Sequence, residues 1–139
     1  MTDDSRKDIL ITNPRTKEGR IAITKMLMRL FDHWELSPKD QLAILGLSEK
    51  SRTSIARYRR GEPIADRRDL LDRAGALLYI HKALRILFPR NRDIVYSWIS
   101  TPNRAFGGEK PIDVIRKDGV PGLLLMKQYL DSALRDDGA

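Results

Sequence analysis

The side chains best suited to chemistry in this sequence are cations, and five of them fall within one short run. These are Lys50, Arg52, Arg57, Arg59 and Arg60. Only Glu49 opposes them there. Arginine and lysine bind phosphate oxygens and the acceptor edge of guanine, so the run points to nucleic acid. The formal net charge of +7 at pH 7 also suits a polyanionic partner. A solvated helix that packs by one face would carry the same charges.

Residues that would support catalysis or metal binding are scarce. The chain has no cysteine, which excludes disulfides and thiolate metal sites and fits a reducing compartment. The two histidines, His33 and His81, are not at metal-ligand spacing. Gly107-Gly108 lacks the rest of a phosphate loop. We therefore predict a protein that is not an enzyme and carries no cofactor.

Two short predicted helices position the basic run. Ser37 is suited to cap a helix whose first residue is Pro38, and Gly46 is suited to end it. Ser48 is then expected to cap a second helix that reaches Arg60. A short helix, a tight turn with glycine and a second helix form the helix-turn-helix arrangement, whose second helix enters the DNA major groove.

The position of each residue along that second helix predicts what it would contact. The first two turns face base edges when such a helix enters the groove, and the later residues meet phosphates. The predicted base-facing residues are Lys50, Ser51, Arg52 and Ser54. The predicted phosphate-facing residues are Arg57, Arg59 and Arg60.

Apolar residues recur at helical spacing along most of the chain, and no segment alternates convincingly with period two. One stripe runs from Ile23 to Trp34, and Trp34 lies on it as a core residue. The longest runs from Leu70 to Phe88, in a helix that Asp66 is expected to cap. That stripe is wide enough to be covered by its own chain and by a second copy, and the sequence leaves open which. The predicted fold class is all-α.

The chain divides into three predicted parts. Residues 1–17 are polar and form a flexible N-terminal arm, residues 18–64 hold the helix-turn-helix, and residues 65–139 form a helical C-terminal subdomain. No apolar run approaches the roughly 18 residues of a spanning helix, and no secretion signal is visible. We therefore predict a cytoplasmic location and no membrane role.

The connection within Tyr96–Ile115 is rich in residues that shape the backbone. It contains Asn103, which can stabilise a turn, and Gly107-Gly108, which permits positive φ. Phe106 is a large apolar residue in the middle of this loop, so something must cover it. The cover could be the core of the chain or a bound partner, and we favour the core.

The same stretch resembles a known family. The run W-I-x-x-P-N-x-x-F-G-G-x-x-P-I-D-x-I, from Trp98 to Ile115, is similar to the signature of the Xre/MbcA/ParS-like antitoxin toxin-binding domain. The runs Leu45–Ser48 and Arg57–Glu62 resemble that family's helix-turn-helix. The runs Asp66–Leu78 and Leu84–Pro89 also fit.

This resemblance implies an antitoxin of a type II toxin–antitoxin system. The partner would be a RES-domain toxin that acts on NAD, and the antitoxin would cover the toxin's active site. Many members also bind operator DNA as homodimers and repress their own operon. Residues 65–139 would then be the toxin-binding and dimerisation subdomain. The implied toxin-binding residues are Asn103, Arg104, Phe106 and Gly107 in the loop and Arg135, Asp136, Asp137, Gly138 and Ala139 in the tail.

Two other functions are compatible with the residues. A stand-alone dimeric helix-turn-helix repressor would use the C-terminal half for dimerisation only. A toxin-binding protein that has lost DNA binding would keep the loop, and its basic helix would be a solvated surface.

Overall fold

The structure, a computed structural model, describes residues 13–138 and their side chains as far as Asp136. Residues 1–12 of the predicted arm lie outside the described residues. Within the described range the chain is all-α, as predicted, with no strand. Its α-helices are α1 (Lys17–His33), α2 (Pro38–Ile44), α3 (Arg52–Arg59), α4 (Arg68–Leu87), α5 (Arg92–Ser97), α6 (Pro111–Asp118) and α7 (Val120–Gly138). Within the same range no helix combines the length and the hydropathy that crossing a membrane requires.

Helix α1 forms because its apolar residues line one face and its first turn is capped. The Thr16 hydroxyl accepts a hydrogen bond from the Gly19 N–H at 3.0 Å, which satisfies one of the free donors at the helix start. Leu27 and Phe31 are completely buried, and Trp34 just beyond the helix is 3% exposed. The prediction that Trp34 is a core residue is confirmed.

The first helix of the helix-turn-helix begins and ends at the predicted residues. The Ser37 hydroxyl accepts from the Asp40 N–H at 3.1 Å, and Pro38 is the first residue of α2. Gly46 has φ of 71°, the left-handed conformation that ends many helices.

The start of the second helix differs from the prediction. Ser48 makes no side-chain capping bond, and a 3₁₀ helix at Glu49–Ser51 precedes α3. The α-helix begins only at Arg52. Ser51, Thr53 and Ser54 explain this, because hydroxyl side chains compete for backbone hydrogen bonds and weaken a helix.

Helix α4 is the central element of the fold. It starts one residue later than predicted, with Arg67 rather than Asp66 as the N-cap residue. The Asp66 carboxylate instead binds Arg15 Nε at 2.9 Å. Its apolar stripe packs against α1 and against α7. The fully buried members are Leu70, Ala74, Leu77, Ile80 and Leu84. These members of the stripe are therefore covered by their own chain and form the core, whereas Leu78, Leu87 and Phe88 remain half-buried.

The last two helices pack closely on each other. Pro111 is the first residue of α6, and Lys110 before it makes no side-chain cap. Gly119 ends α6 with φ of 65°. Gly122 lies in the first turn of α7, where an added Cβ would lie 2.8 Å from the carbonyl oxygen of Val114. The missing side chain is thus what lets α7 approach the backbone of α6.

Two arginines join the helix-turn-helix to the C-terminal helices. Arg116 on α6 donates from Nη1 to Asp40 on α2 at 2.5 Å. The guanidinium group of Arg73 on α4 lies against the turn at Gly46, 2.7 Å from where a Cβ would be, and 3.5 Å from the same position at Gly119. The turns after α2 and α6 therefore both lie beside one side chain.

Candidate functional sites

The basic run forms an exposed surface on a firmly anchored helix. Ile55 and Tyr58 are each 7% exposed and fix α3 in the core. The cations of the run are exposed, namely Lys50, Arg52, Arg57, Arg59 and Arg60, while Ser51 and Ser54 are half-buried. All seven predicted DNA-binding residues therefore lie within residues 50–60, a short segment that Ile55 and Tyr58 anchor in the core.

Arg59 is the cation of this run that bonds to neighbouring helices. Arg59 forms an ion pair with Asp32 on α1 at 2.9 Å and donates to the Gln41 side-chain oxygen on α2 at 3.3 Å. Gln41 is itself buried and donates to the Leu36 carbonyl at 2.9 Å. Arg59 thus helps to position α3, a role that the sequence did not predict because its partners are far away along the chain.

Three cations of the run have no carboxylate partner. Among the described residues no carboxylate lies within 4.0 Å of Lys50, Arg52 or Arg57. Arg60 pairs with Glu62 at 3.4 Å, where both side chains are exposed. Unpaired positive charge therefore lies along the run, from Lys50 in the 3₁₀ helix to Arg57 in the last turn of α3.

Asn103 organises the second candidate site. Its side-chain oxygen accepts from the Ala105 N–H at 2.9 Å, and its carbonyl accepts from the N–H groups of Phe106 and Gly108 at 3.0 and 2.9 Å. Gly107 and Gly108 both have positive φ, at 65° and 84°. These bonds close residues 103–109 into a compact loop, and the prediction that Asn103 stabilises a turn is confirmed.

Phe106 points inward and fixes this loop to the last helix. It is 8% exposed. Its ring meets Tyr129 on α7 at 5.2 Å and Trp98 at 6.2 Å, in both cases edge to face. The rings of Trp98 and Tyr129 lie 6.3 Å apart and nearly parallel. Aromatic pairs of this geometry stabilise the fold beyond their buried area.

The outer side of this cluster is an apolar surface. Tyr129 is 38% exposed, and Leu125, one turn earlier on α7, is 44% exposed. Arg104 and Gly107 are exposed on the loop beside them. We call this set, Trp98, Arg104, Gly107, Leu125 and Tyr129, the aromatic surface. The sequence did not indicate Leu125 and Tyr129 as site residues, although both lie beside the buried face of the last helix.

The predicted tail residues are separate from this surface. Helix α7 continues to Gly138, so Arg135 and Asp136 are helical and exposed. Arg135 donates to the Ser132 hydroxyl at 3.2 Å. Arg135 lies about 9 Å further along the helix than Tyr129, at ~1.5 Å per residue. The side chains of residues 137–139 lie outside the described residues.

His81 is a half-buried histidine with a hydrogen-bond partner. Its Nε2 lies 3.2 Å from the Tyr96 hydroxyl, and the His33 ring stacks on Tyr96 at 4.5 Å. Burial, with smaller effects of Arg85 and His33, lowers the pKa of His81 to about 4. The ring is therefore neutral at pH 7.

Comparison with known families agrees with the geometry of both sites. Residues 24–79 match the family described as the antitoxin Xre-like helix-turn-helix domain. Residues 83–134 match the family described as the antitoxin Xre/MbcA/ParS C-terminal toxin-binding domain. The first match contains the basic helix, and the second contains the loop and most of α7.

A relative covers nearly the whole chain. It is the uncharacterised protein y4oB of Sinorhizobium fredii (strain NBRC 101917 / NGR234), which is 30% identical over 122 residues. The alignment spans 87% of this chain and 92% of that protein. The chain belongs to the Xre/MbcA/ParS-like antitoxin family, with a helix-turn-helix domain followed by a C-terminal toxin-binding domain.

Proposed function

We propose that this antitoxin neutralises a RES-domain toxin by binding it through the aromatic surface and the end of α7. The observation that carries the proposal is the contact of Phe106 with Tyr129, at 5.2 Å. This contact joins the family's loop to the last helix, so two segments distant in sequence present one rigid surface. From this surface the antitoxin would cover the toxin's active site.

The composition of the surface supports a protein partner. Leu125 and Tyr129 are exposed apolar groups on a helix, and Tyr129 is braced by two other aromatic rings. A large side chain that is already rigid loses little conformational entropy on binding, and interface hot spots are enriched in tyrosine, tryptophan and arginine. Arg104 supplies the cation at the edge.

Co-expression with the product of the adjacent gene tests this interface. We expect the two proteins to co-purify and the neighbour to be toxic alone. Leu125→Glu should abolish co-purification, because it places a charge beside Tyr129. Leu124→Glu is the matched control, because Leu124 is similarly exposed, at 51%, but lies about 140° round the helix from Tyr129. Equal loss in both variants would contradict the proposed surface.

The toxin class has its own readout. A RES-domain toxin acts on NAD, so cellular NAD should fall or ADP-ribosylated protein should appear when the neighbour is expressed alone. Co-expressed antitoxin should prevent the change. A neighbour that binds but leaves NAD and ADP-ribosylation unaltered would reject the RES class without rejecting the interface.

The tail provides a second test. Deletion of residues 135–139 removes exposed residues and no buried one among those with described side chains. We expect the truncated chain to melt within about 2 °C of the full chain, since ~1 kcal/mol corresponds to a few degrees in a domain of this size. Neutralisation of the toxin should weaken more. Full rescue of toxin-expressing cells by the truncated chain would show that the tail takes no part.

We further propose that the antitoxin binds its operator as a homodimer and represses its own operon. The uncompensated charge of Lys50, Arg52 and Arg57 on an anchored helix supports phosphate and base contacts. Two copies would read two half-sites about one helical turn apart. Fluorescence anisotropy with the upstream DNA should show log affinity falling with log salt by about 0.9 per phosphate neutralised. A flat salt response would leave only the toxin-binding role.

A further inference from the structure

A second surface includes part of α5 but not Trp98. It is a groove of about 1030 Å³ between the C-terminal half of α1, one face of α4 and the segment from Phe88 to Tyr96. We call it the basic groove. Its α4 wall extends from Gly75 to Ile86, which is about 16 Å at ~1.5 Å per residue, or three helical turns.

The groove is lined by cations and lacks acidic residues. Five positive side chains line it, namely Arg29, Lys82, Arg85, Arg90 and Arg92. No aspartate or glutamate of the described residues is in the lining. Nor does any described carboxylate lie within 4.0 Å of these five, whereas eight ion pairs occur elsewhere between residues 15 and 117. None of the five is therefore in an ion pair within the described chain, and two acidic residues, Glu35 and Asp93, line an adjoining pocket that shares Arg92.

The wall between the cations is a set of packed rings around Tyr96. Tyr96 is stacked on His33, hydrogen-bonded to His81 and covered by the Arg92 guanidinium at 4.9 Å. The lowered pKa of His81 keeps that ring neutral. Because Tyr96 is covered in this way, it offers no free ring face on which a nucleobase could stack.

The groove also has apolar groups that a simple anion would leave uncovered. Ile86 is 57% exposed, the most exposed large apolar side chain among the described residues. Leu78 and Phe88 are half-buried beside it. Inorganic phosphate would neutralise the cations without covering these groups. A second copy placed groove to groove would bring like charges together, which costs several kcal/mol in a docked interface.

An acidic segment with apolar anchors matches both features. A helix of about three turns that presents apolar residues at i, i+3 or i+4 and i+7 fits a groove of this length. Its carboxylates would pair with the cations at the rim, and its apolar face would cover Ile86. Helix α5 carries Tyr96 in the groove wall and leads directly into Trp98, so the two surfaces flank one short element.

We propose that the basic groove is a second contact surface for the toxin and receives an acidic, apolar-anchored segment of it. This rests on the proposed function, because the toxin must bind at the aromatic surface for its acidic segment to reach the groove. The groove supplies electrostatic attraction and orientation, and the aromatic surface supplies most of the buried apolar area.

The test uses the full-length antitoxin and the purified product of the adjacent gene. The groove variant is Lys82→Glu/Arg85→Glu. The control is Lys17→Glu/Lys25→Glu, which has the same net charge but replaces exposed residues of α1 that are outside the groove lining and form no ion pair among the described residues. Affinity is measured by calorimetry or biolayer interferometry at two salt concentrations, with melting curves for all variants.

We expect the groove variant to bind the toxin about tenfold more weakly than the wild type, and with a smaller salt dependence. The control should stay within about twofold. The uncharged variant Lys82→Gln/Arg85→Gln should melt like the wild type and should also bind the toxin more weakly. It keeps the test valid if the Lys82→Glu/Arg85→Glu variant fails to fold. Ile86→Ser should weaken binding without changing its salt dependence.

Wild-type affinity in the groove variants, or an equal loss in the control, would overturn the proposal. Failure of the wild type to bind the neighbour would overturn the proposed function, and the assignment of the groove with it. Normal wild-type binding with no effect in the groove would overturn the groove assignment alone. The wild-type titration therefore separates the two failures.

Discussion

Gly122→Ala tests whether the close approach of α6 and α7 is built into the toxin-binding half. The new Cβ would lie 2.8 Å from the Val114 carbonyl oxygen and 3.1 Å from the Ile115 Cα. Ordinary contacts begin near 3.4 Å, so the first of these distances is about 0.6 Å too short. Both neighbours are backbone atoms, which cannot rotate away as a side-chain end could. The two helices must therefore separate.

The magnitude follows from two opposing effects. Alanine is a better helix former than glycine, by about 1 kcal/mol in a helix interior and less in a first turn. Overpacking against a fixed backbone costs about 1–3 kcal/mol. We expect the variant to lose about 1–2 kcal/mol net. Gly75→Ala on α4 is the matched control, because nothing lies within 4 Å of its added Cβ. It should gain about 0.5–1 kcal/mol.

Urea unfolding followed by far-UV circular dichroism measures both variants. In thermal melts of the same two variants, the melting temperatures should move in opposite directions, by about 3 °C per kcal/mol for a chain of this size. Gly122→Ala should also bind the toxin more weakly, because Tyr129 moves with α7 relative to the loop. A Gly122→Ala chain as stable as the wild type would show that α6 and α7 yield easily, and the argument from close contact would be wrong.

The other predictions concern single side chains. The folded-state pKa of His81, about 4, is below its unfolded value of 6.5. Stability is therefore full above about pH 6.5 and falls as the pH approaches 4, by about 1–2 kcal/mol after discounting for partial exposure. His81→Gln should show a smaller decline in melting temperature over that range. Phe106→Ala should cost about 3 kcal/mol in urea unfolding, because it leaves a cavity beside two rings. Leu125→Ser should leave stability unchanged and weaken only toxin binding. Arg52→Gln should reduce the salt slope of DNA binding by about 0.9 without affecting the melting temperature. Arg59→Gln should lower the melting temperature, and a melting temperature equal to that of the wild type would show that the ion pair of Arg59 with Asp32 contributes nothing to stability.

The start and end of α2 were predictable from the sequence because neighbouring residues determine them. Ser37, Pro38 and Gly46 act on neighbouring backbone groups, and their roles in the structure are those that the sequence indicated. Asp66 shows where this reasoning fails. A carboxylate at a helix start usually caps it, but Arg15 binds this one from a distant part of the chain. No local pattern contains that partner.

The candidate sites were predictable only in part, for the same physical reason. The loop and the basic helix are continuous in sequence, so their residues could be named before the structure was known. The aromatic surface depends on the contact of Phe106 with Tyr129, which joins the loop to a helix that is distant in sequence. The basic groove gathers its cations from α1, α4 and the segment after α4. Spacing within one element does not reveal such assemblies.

Helix α4 packs against α1 on one side and α7 on the other, so its buried stripe belongs to both halves. Unfolding either half exposes apolar surface of the other, and partial opening is therefore costly. We therefore expect limited proteolysis to remove both halves together, because a protease that opens either half must break the shared core.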